Sequence, residues 1–384
     1  MAKPNYSLIV TSWYPTKETP INGIFIKKHA EAISTFIPVR AIYASQAEGN
    51  SMEEEQQNET LSLTTAKYVA SGNKQINQVR YLLALRKAYN HTVAQHGKPS
   101  IIHLHVVFPA GLFVYLLLFL LDVPVIITEH WSGYTNEDGR YDRLPSFMKT
   151  VTQKLFNRAK GISAVSAYLQ KAIAAKSPHN AGKVVITNNI LDIPSKVQLS
   201  PTPTDSIRAL FVGNLNDHEK NVSLLIEATA IVVQQHPQFE ITFVGGGNDL
   251  PRYKHVAEQL GLLDKHIHFT GYIANKEIPA LYKQHHFYML TSNFETFSIA
   301  AAEAIINGLP VISTRCGGPE EFIDTSNGIW IEKKTAEGIA QAIDKMIANY
   351  ATYNRSEMGK AIGERYSKER IVEQLKNLYH ISGA

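Results

Sequence analysis

Residues 286–318 read HFYMLTSNFETFSIAAAEAIINGLPVISTRCGG, and this alternation of apolar and polar runs decides the fold. An apolar run ends near Leu290, a polar loop follows to Ser298, and a helix pattern stops at Gly308 before a second apolar run. A glycine after the last turn, with a proline soon after it, is typical of a helix end. The segment therefore predicts a strand, a loop, a helix and a parallel strand, with the loop at the carboxyl end of the first strand.

The same alternation continues in both halves of the chain. We predict strands at YSLIVTS, RAIYA, SIIHLHVV, VPVIITEH, GISAVS and KVVITNN in the first half, and at IRALFVGN, FEITFVGGG, HIHFTGY, HFYMLTS, PVISTRC and GIWIE in the second. Near-continuous apolar strands separated by helices indicate parallel sheets covered on both faces. The predicted fold class is α/β, with two doubly wound, Rossmann-like domains facing a central cleft and ligands beyond the carboxyl ends of the strands.

Proline content marks the predicted domain boundary. The segment DIPSKVQLSPTPTDS, residues 192–206, contains three prolines and few apolar residues, which is typical of a linker. We therefore assign residues 1–196 and 197–365 to two domains. Residues 366–384 are expected to form a C-terminal helix that can pack back on the N-terminal domain.

Two segments of the first half differ from the regular pattern. Residues 47–62, AEGNSMEEEQQNETLS, are polar and acidic, so we expect a mobile loop. The longest apolar stretch, residues 106–121, is interrupted by Pro109 and Gly111 and is short for a membrane span of roughly 20 residues. A buried helix is the expected structure there.

The composition describes a globular protein of two domains. The chain has 384 residues, 44% of them apolar and 19% charged, which is too long for one ordinary core. A single cysteine, Cys316, has no partner for an internal disulfide, and we expect it to be a small packing residue. The first residues lack the pattern of a signal peptide, so the expected location is the cytoplasm.

Charge is shared unevenly between the halves. Residues 1–196 have 21 Lys and Arg against 13 Asp and Glu, a net charge of +8, whereas residues 197–384 have a net charge of −4. This asymmetry hints at an anionic partner for the first half, although scattered solubilising charge would give the same counts. A predicted helix at residues 145–160 has an apolar side and a basic edge, formed by Phe147, Val151, Leu155 and Phe156 and by Lys149, Lys154 and Arg158. It can rest on an anionic membrane or simply cover the sheet.

Two glutamates flank the predicted helix start in residues 286–318. Ser298 is a plausible N-cap, and the amides of Phe297, Ser298 and Ile299 would form a seat for phosphate. Unpaired buried carboxylates are costly, and Glu295 and Glu303 would repel phosphate, so their natural partners are sugar hydroxyls. The pattern suits a nucleotide sugar, which has hydroxyl groups at both ends and charge in the middle. Alternatively, Glu295 only favours the helix dipole and Glu303 lies on a solvated face.

These motifs resemble a known family. The pattern E-T-F-S-x4-E-A, followed by G-L-P-V-I and GG-P-E-E, is similar to the E-x7-E region of retaining glycosyltransferases of family 4 (glycosyltransferase group 1), which have the GT-B fold. SWYPTKETPINGIFIKKHAEAI, IIHLHVVFPAG, ITEHW, ISAVSAYL, FVGNL and EKNVSLLIEA resemble further segments in the family's order. The resemblance covers nearly the whole chain. It makes residues 1–196 the acceptor side and residues 197–365 the nucleotide-sugar-binding domain.

The resemblance implies roles for individual residues in the second half. Glu295 would contact hydroxyls of the transferred sugar, and Glu303 would contact the ribose of the nucleotide. Backbone amides at Phe297 and Ser298 would hold the diphosphate or the sugar. Lys220 matches the lysine that neutralises the diphosphate.

Two further matches lie in the first half. Gly23 matches a loop whose backbone closes on the phosphates, where glycine permits close approach. His130, in TEHW, matches a histidine near the reacting sugar and the acceptor.

The sequence departs from the family pattern at three positions. Asn214, a donor-binding position, stands where arginine is common beside the lysine, and an amide does not replace a bidentate guanidinium. Asn221 and Thr296 stand where glycine is usual. Lys220 would then neutralise the diphosphate alone, or with help from His218 or Arg315, and donor affinity or the diphosphate pose would differ.

Other kinds of site are disfavoured. The GGGNDL run has Leu250 where a dinucleotide fingerprint needs a third glycine, and the chain contains no Asp-x-Asp motif for a metal–diphosphate site. His103 and His105 share one face of a predicted strand, and His285 and His286 are adjacent, but neither pair has a third ligand at zinc-like spacing. We expect no metal ligands, no cofactor and no nucleic-acid partner.

The expected activity is metal-independent transfer of a hexose from a nucleoside-diphosphate sugar, with retention of configuration. The expected acceptor is a glycan or a lipid-linked glycan of cell-surface polysaccharide synthesis, met in the cytoplasm or peripherally at the inner face of the plasma membrane. A GT-B-fold sugar-nucleotide epimerase, a glycogen-synthase-like enzyme and a catalytically silent sugar-nucleotide-binding subunit are alternatives. The sequence does not select the sugar, the base, the linkage or the oligomeric state.

Overall fold

The computed structural model describes residues 5–16, 19, 21–200, 203 and 205–382. It divides into unit 1, which is Met1–Ile190 with Lys368–Ala384, and unit 2, which is Leu191–Ser367. Each unit is built on one sheet, of eight strands in unit 1 and six in unit 2. Two Rossmann-like parallel-sheet domains are therefore confirmed. Three positions of the predicted linker, 201, 202 and 204, lie outside the described residues.

Unit 1 alternates strands and helices along the chain. Its strands are β1 (Ser7–Thr11), β2 (Val39–Ala47), β3 (Ser51–Asn58), β4 (Leu61–Val69), β5 (Ile101–His105), β6 (Val125–Glu129), β7 (Gly161–Ala164) and β8 (Val184–Ile186). Its first helices are α1 (Ile24–Ile33), α2 (Lys74–His96), α3 (Gly111–Leu117), α4 (Ser146–Arg158) and α5 (Ala167–Lys176). The sheet order is β3-β4-β2-β1-β5-β6-β7-β8, and only the β3–β4 pair is antiparallel among the described strands.

The centre of this sheet explains its apolar runs. Every residue of β1, β5, β6 and β7 is buried, because helices cover both faces of a parallel sheet. From β1 the chain builds outward through β2 on one side and through β5 on the other. The loops after β1 and β5 therefore diverge, which opens a crevice at the carboxyl end of the sheet.

The expectation of a mobile loop at residues 47–62 is wrong. Residues Ser51–Asn58 form β3, which pairs antiparallel with β4 at the edge of the sheet. Seven of the eight β3 residues are exposed, so the strand shows no apolar alternation that a sequence pattern could reveal. Its glutamates are typical of an edge strand that is protected against pairing with other chains. The sequence pattern also missed β4.

The apolar stretch at residues 106–121 is only partly the buried helix that we expected. Its helix, α3, has seven residues, and Phe113 and Val114 are buried. Beyond the helix, Phe119 and Leu120 are 71% and 78% exposed, and Leu116 is 49% exposed. None of the helices in the described part of the chain is both long and apolar enough to cross a bilayer.

The amphipathic helix α4 covers the sheet with its apolar side. Val151, Leu155 and Phe156 are buried, so this side is not available to a membrane. Phe147, which sequence analysis placed with them, is instead 57% exposed. The apolar side of α4 therefore covers the sheet, which is the second of the two interpretations given for this helix.

Unit 2 repeats the same architecture. Its strands are β9 (Ile207–Val212), β10 (Phe239–Val244), β11 (Ile267–Gly271), β12 (Phe287–Leu290), β13 (Val311–Ser313) and β14 (Gly328–Trp330). Its helices are α6 (Asp217–Lys220), α7 (Val222–Gln235), α8 (Leu250–Gln259), α9 (Ile278–Tyr282), α10 (Ile299–Ile306), α11 (Ala336–Asn349) and α12 (Lys360–Arg365). The order is β11-β10-β9-β12-β13-β14 with parallel neighbours throughout, so the chain reverses direction across the sheet between β9 and β12.

The last helix, α13 (Lys368–Ser382), belongs to unit 1. The hydroxyl of Tyr379 lies 2.7 Å from Oγ of Ser7 and 3.1 Å from Nδ1 of His103, so the helix is tied to β1 and β5. Oε1 of Gln374 accepts a hydrogen bond from the amide of Asn188 at 2.9 Å. Unit 1 is therefore built from both ends of the chain.

Candidate active site

A lysine and a glutamate meet where the unit 2 sheet reverses direction. Lys220 ends α6, in the connection after β9, and Glu295 lies in the loop after β12. The Lys220 ammonium group donates to Oε1 of Glu295 at 2.5 Å, and the Ser292 hydroxyl donates to the same oxygen at 2.8 Å. Loops at the carboxyl ends of adjacent, diverging strands form the usual ligand crevice of such sheets. The two predicted catalytic residues of unit 2 are therefore in direct contact.

The backbone of Glu295 is held from the other side by the loop after β13. The Glu295 amide donates to the carbonyl of Cys316 at 2.7 Å, and the amide of Gly318 donates to the carbonyl of Glu295 at 2.9 Å. The Cys316 thiol is buried, and burial raises its pKa to about 12. Cys316 therefore packs as a neutral thiol, as expected, while its carbonyl positions Glu295.

Lys220 is a charged group in a mostly enclosed place. Burial alone would lower its pKa, but the Glu295 carboxylate outweighs burial, and the pKa of Lys220 is raised. Its Cε atom would lie 3.6 Å from a Cβ added at Gly213, so the side chain passes over the glycine that follows β9. Lys220 thus stays cationic and has a fixed path to the end of the sheet.

Asn221 explains one departure from the family pattern. It adopts a left-handed conformation, with φ 51° and ψ 46°, at the junction of α6 and α7. Asparagine tolerates this region better than most residues after glycine. Its amide group also donates to the carbonyl of Thr291 and to Oδ1 of Asn293, both at 2.8 Å. Asn221 therefore adopts the left-handed conformation for which glycine is usual, and its side chain joins the loop after β9 to the loop after β12.

Thr291 and Asn293 were not singled out from the sequence. The Thr291 hydroxyl donates to the carbonyl of Lys220 at 2.8 Å, and the amide of Asn293 donates to the carbonyl of Glu219 at 2.7 Å. These bonds fix the loop after β9 against the loop after β12. The polar triplet TSN, residues 291–293, directly follows a buried strand and could have indicated them.

The start of α10 differs from the predicted cap. Ser298 is at the N-cap position, but it is left-handed (φ 67°), and its side chain makes no capping hydrogen bond within the described chain. Left-handed backbone at a non-glycine residue is strained and clusters at functional sites. Phe297 is buried, with its ring 5.4 Å from Phe322 and 4.9 Å from Tyr366. The side chain of Phe297 is therefore part of the core, and its backbone is the part that could contact a ligand.

Glu303 lies on α10 in the same unit. Its Oε1 accepts a hydrogen bond from the amide of Asp192 at 3.3 Å. The buried Tyr288 hydroxyl, which donates to the carbonyl of Val212, has a pKa raised by burial and by the nearby Glu295 and Glu303 carboxylates. Sequence analysis missed Tyr288, which lies on β12 close enough to both carboxylates for them to affect the pKa of its hydroxyl.

Asn214 lies beside a glycine-rich turn. Its Oδ1 would be 3.3 Å from a Cβ added at Gly247. At Gly245 (φ 129°) a Cβ would be 1.9 Å from the carbonyl oxygen of Gly213, so only glycine fits there. Arg315, considered as a helper for Lys220, lies 3.6 Å from Glu320 and 4.7 Å from the centre of the Trp330 ring.

The predicted site residues of unit 1 lie in loops that follow the strands β1 and β6. Gly23 precedes α1 with φ 72°, and a Cβ there would be 2.7 Å from the carbonyl carbon of Trp13. The position therefore requires glycine because of its left-handed backbone and the nearby Trp13 backbone. His130 follows β6 and is 5% exposed, with its ring 4.6 Å from the Phe25 ring.

His130 belongs to a cluster of four buried histidines, with His29, His103 and His105. His130 Nε2 lies 3.3 Å from Nδ1 of His105, and its ring lies 5.4 Å from that of His29. Burial lowers the pKa of His130 well below its usual value, as do the nearby His29 and His103. His130 is therefore neutral near pH 7. Sequence spacing did not connect His103 and His105 with other histidines, whereas the fold places His29 of α1 and His130 of the loop after β6 beside His105.

Glu129 is a second residue that sequence analysis missed. It is fully buried at the end of β6, where its Oε1 accepts from the amide of Val107 and the hydroxyl of Tyr134, both at 2.9 Å. Burial raises the pKa of Glu129 to about 7. The carboxyl group thus joins the loops that follow β5 and β6 immediately beside His130.

Two family models match the chain, one on each half. The model described as Glycosyltransferase Family 4 matches residues 42–193, and the model described as Glycosyl transferases group 1 matches residues 192–365. The two matches adjoin and together span most of the sequence. The chain belongs to the group 1, family 4 glycosyltransferases. The family identification made from the sequence motifs is confirmed.

Curated relatives of this glycosyltransferase are distant. An uncharacterized glycosyltransferase of Methanocaldococcus jannaschii is 29% identical over 181 residues, which cover 46% of this chain and 46% of that protein. The O-antigen biosynthesis glycosyltransferase WbnH of Escherichia coli is 27% identical over 267 residues, which cover 67% of this chain and 71% of the relative. The match to the first relative thus spans less than half of its length.

Solved structures share the fold of this glycosyltransferase at low identity. The lipopolysaccharide outer core galactosyltransferase WaaB, in its apo form, has a TM-score of 0.70 at 16% identity and covers 98% of this chain and 99% of its own. HepE of Anabaena, in complex with UDP and glucose, has a TM-score of 0.74 at 17% identity, with 97% and 99% coverage. The GT-B fold expected from the sequence is confirmed.

Proposed function

We propose that this glycosyltransferase moves a hexose from a nucleoside-diphosphate sugar to a glycan or lipid-linked acceptor, with retention of configuration. The observation that carries the proposal is the contact between Lys220 and Glu295 at the point where the unit 2 sheet reverses direction. A cation and a carboxylate held side by side suit a ligand that has a diphosphate next to a sugar. An ordinary surface ion pair would not be this enclosed, since the two side chains are only 16% and 12% exposed.

The diphosphate is proposed to bind Lys220 and the first amides of α10. The first turn of a helix leaves its amides without intrahelical acceptors, and its dipole favours an anion. Negative charge grows on the diphosphate as the sugar departs, and a fixed ammonium group stabilises that charge. Because these groups supply the positive charge, the proposed transfer needs no metal ion.

Glu295 and Glu303 are proposed to accept hydrogen bonds from hydroxyl groups of the donor. Glu295 would bind the transferred sugar, since it already contacts the lysine that faces the diphosphate. Glu303 would bind the ribose, with Asp192 as its present neighbour. Asn214 and the glycines around Gly245 would approach the nucleotide closely, because no side chain can be added at Gly245.

Retention is proposed to follow from same-face attack on the sugar, with the departing phosphate taking the proton of the acceptor hydroxyl. The C–O bond to the diphosphate breaks as the acceptor oxygen bonds to the anomeric carbon. His130 is proposed to position and polarise the reacting groups as a neutral imidazole. Its buried surroundings favour the neutral form.

The proposed pathway is cell-surface polysaccharide synthesis. Relatives include the O-antigen biosynthesis glycosyltransferase WbnH of Escherichia coli and the poly(glycerol-phosphate) alpha-glucosyltransferase of Bacillus subtilis. We propose that the protein works in the cytoplasm and touches the inner face of the plasma membrane, where lipid-linked acceptors are met. The exposed Leu116, Phe119 and Leu120 at the end of α3 are the proposed contact.

Basic residues of α4 border this apolar patch. Lys154 Nζ donates to the Tyr115 hydroxyl at 3.1 Å, and Arg158 donates to Asp122 at 2.7 Å, so both lie beside α3 and the turn after it. Apolar side chains framed by cations suit an anionic lipid surface. The apolar side of α4 takes no part in this contact.

Incubation with labelled sugar nucleotides tests the function. A panel of UDP and GDP sugars is first screened for an increase in the melting temperature, since a ligand of the native state stabilises it by mass action. The stabilising donor is then incubated with lipid-linked and soluble glycan acceptors. Label in a glycan is the expected result. Inversion at C2 of the donor would indicate an epimerase, and binding without turnover would indicate a silent subunit, so either result would contradict the proposal.

A further inference from the structure

Three buried histidines of unit 1 come together from distant parts of the sequence. His29 lies on α1, His105 ends β5, and His130 follows β6. One ring nitrogen from each lies within 4.8 Å of a ring nitrogen from each of the others. His29 and His105 are fully buried, and His130 is 5% exposed. No sequence motif would have grouped these residues, because α1 and two separate strand ends supply them.

Hydrogen bonds leave part of this cluster unused. His29 Nε2 lies 2.9 Å from the carbonyl of Asn188, so this nitrogen donates and Nδ1 keeps a free lone pair. His29 Nδ1 is buried without a hydrogen-bond partner among the described residues. His105 Nδ1 and His130 Nε2 face each other at 3.3 Å, so they are the nitrogens of these two rings that one ion could bind together. A buried polar atom without a partner is costly, so the free nitrogen of His29 requires an explanation.

We propose that His29, His105 and His130 form a binding site for a divalent transition-metal ion of the zinc type. Three imidazole nitrogens are a ligand set that zinc accepts, with a fourth position left for water or another ligand. A zinc–nitrogen distance of about 2.05 Å places the nitrogens about 3.4 Å apart. His105 Nδ1 and His130 Nε2 lie 3.3 Å apart, close to this spacing, and one ring nitrogen of each of the three residues lies within 4.8 Å of the others.

The surroundings of the cluster suit metal binding. Metal-bound histidines usually donate their second nitrogen to a carbonyl or carboxylate, and the bond from His29 to Asn188 has this form.

His103 provides a comparison within the same cluster. Its ring lies 4.1 Å from that of His105, and it is equally buried. However, its Nδ1 lies 3.1 Å from the Tyr379 hydroxyl and its Nε2 lies 2.8 Å from Oγ1 of Thr128. Both nitrogens of His103 are therefore engaged, and it is not a ligand.

The proposed metal has no part in holding the diphosphate, which is assigned to unit 2. It does, however, occupy His130, so zinc is expected to inhibit transfer. This last consequence rests on the proposed function. Metal binding itself does not, because it can be measured without any turnover.

Titration of the full-length chain with Co²⁺ tests the site. Protein freed of metal with a chelator should take up one equivalent of Co²⁺ and develop the visible absorption bands of four-coordinate cobalt, and Zn²⁺ should remove them. His29→Gln keeps a donor for Asn188, and it should weaken cobalt binding at least tenfold. His105→Gln should do the same, whereas His103→Gln should bind like wild type, with circular dichroism used to verify folding. Equal binding by wild type and His29→Gln would overturn the proposal.

A surface cluster needs its own control. His91 lies 2.9 Å from Glu54, and His96 lies 3.9 Å from the same carboxylate, so these groups could bind metal weakly. His91→Ala should leave the cobalt spectrum unchanged, and its loss in that variant would overturn the proposal. Should the buried variants fail to fold, X-ray absorption at the zinc edge of the wild-type protein decides. Scattering from three imidazoles is expected, and fewer than three would contradict the site.

Discussion

The Lys220 ammonium group lies 2.5 Å from Oε1 of Glu295 and joins the loops that leave the two central strands of the unit 2 sheet. The glutamate is held in turn by Ser292, and its backbone is held by Cys316 and Gly318. A nucleotide sugar would share this pair between its diphosphate and its sugar. Substitutions that change the charge of this pair should therefore affect nucleotide binding and sugar transfer differently.

Glu295→Gln should lower turnover while leaving nucleotide binding intact. The change keeps the shape of the side chain but removes the charge that neutralises Lys220. We expect kcat/KM to fall by about 10²–10³, in the range seen when one group that stabilises a transition state is removed. Affinity for the free nucleoside diphosphate should stay the same or increase, because Lys220 is released. Steady-state kinetics and calorimetric titration measure the two effects, and a near-normal rate in Glu295→Gln would refute the assigned role.

Substitutions at Asn221 should change stability mainly because its backbone is left-handed. Asn221→Gly and Asn221→Ala both remove the side-chain bonds to Thr291 and Asn293, but only alanine is strained at φ 51°. The alanine variant should be the less stable of the two by about 1 kcal/mol, although alanine favours helices. Urea unfolding midpoints test this order. Equal or reversed stability would mean that the left-handed conformation has no energetic weight.

His286 should make unit 2 sensitive to acid. Its Nδ1 accepts a hydrogen bond from the amide of Arg208 at 2.9 Å, which requires a neutral ring. Burial, followed by the charges of Arg208 and Arg355, lowers the pKa of His286 to about 4. The unfolded ring binds a proton near pH 6.5 and the folded ring does not, so stability is complete above that pH and decreases as the pH falls toward 4.

A glutamine at position 286 isolates this effect. His286→Gln can still accept from Arg208 but does not titrate. Between pH 7 and pH 4 it should lose less stability than wild type, by up to about 3 kcal/mol at 1.36 kcal/mol per pH unit of pKa shift. Unfolding free energies at several pH values give the comparison. Parallel curves for the two proteins would contradict the prediction.

The apolar patch at the end of α3 should bind anionic membranes. Sedimentation with vesicles containing an anionic lipid should capture the wild-type protein, and added salt should release it, because surface charges are screened beyond about 10 Å at 0.1 M. Exchanging Phe119 and Leu120 for serine should reduce capture severalfold. Exchanging Phe147, which is 57% exposed but lies in the first turn of α4, is the matched control and should have little effect. If capture by the vesicles depended neither on salt nor on these substitutions, the proposed membrane contact would be contradicted.

Much of the fold was readable from the sequence because its central strands are buried on both faces. β5 and β6 appear in the sequence as near-continuous apolar runs, interrupted by His103 and ended by Thr128 and Glu129, and the alternation with helices implies a parallel sheet. The edge strand β3 was missed because solvent surrounds both of its faces and no apolar pattern marks it. The exposed Phe119 and Leu120 were misassigned for the opposite reason, since apolar residues outside the core look like core residues in a sequence.

Site residues could be predicted only where they lie in motifs that follow one another in the order typical of the family. Lys220 and Glu295 were identified by resemblance, and the structure brings them into contact. The left-handed backbone of Ser298 was not predictable, because residues other than glycine rarely adopt this conformation. His29 was not connected with His130 because about a hundred residues separate them and only the sheet brings them together.

The most direct test of the central claim is calorimetric titration of the wild-type protein and Lys220→Met with the nucleoside diphosphate of the preferred donor. Methionine keeps most of the side-chain volume but has no charge, so the fold should survive, as circular dichroism can verify. The account predicts that Lys220→Met binds the nucleoside diphosphate at least tenfold more weakly than wild type. Equal affinity in the two proteins would contradict it.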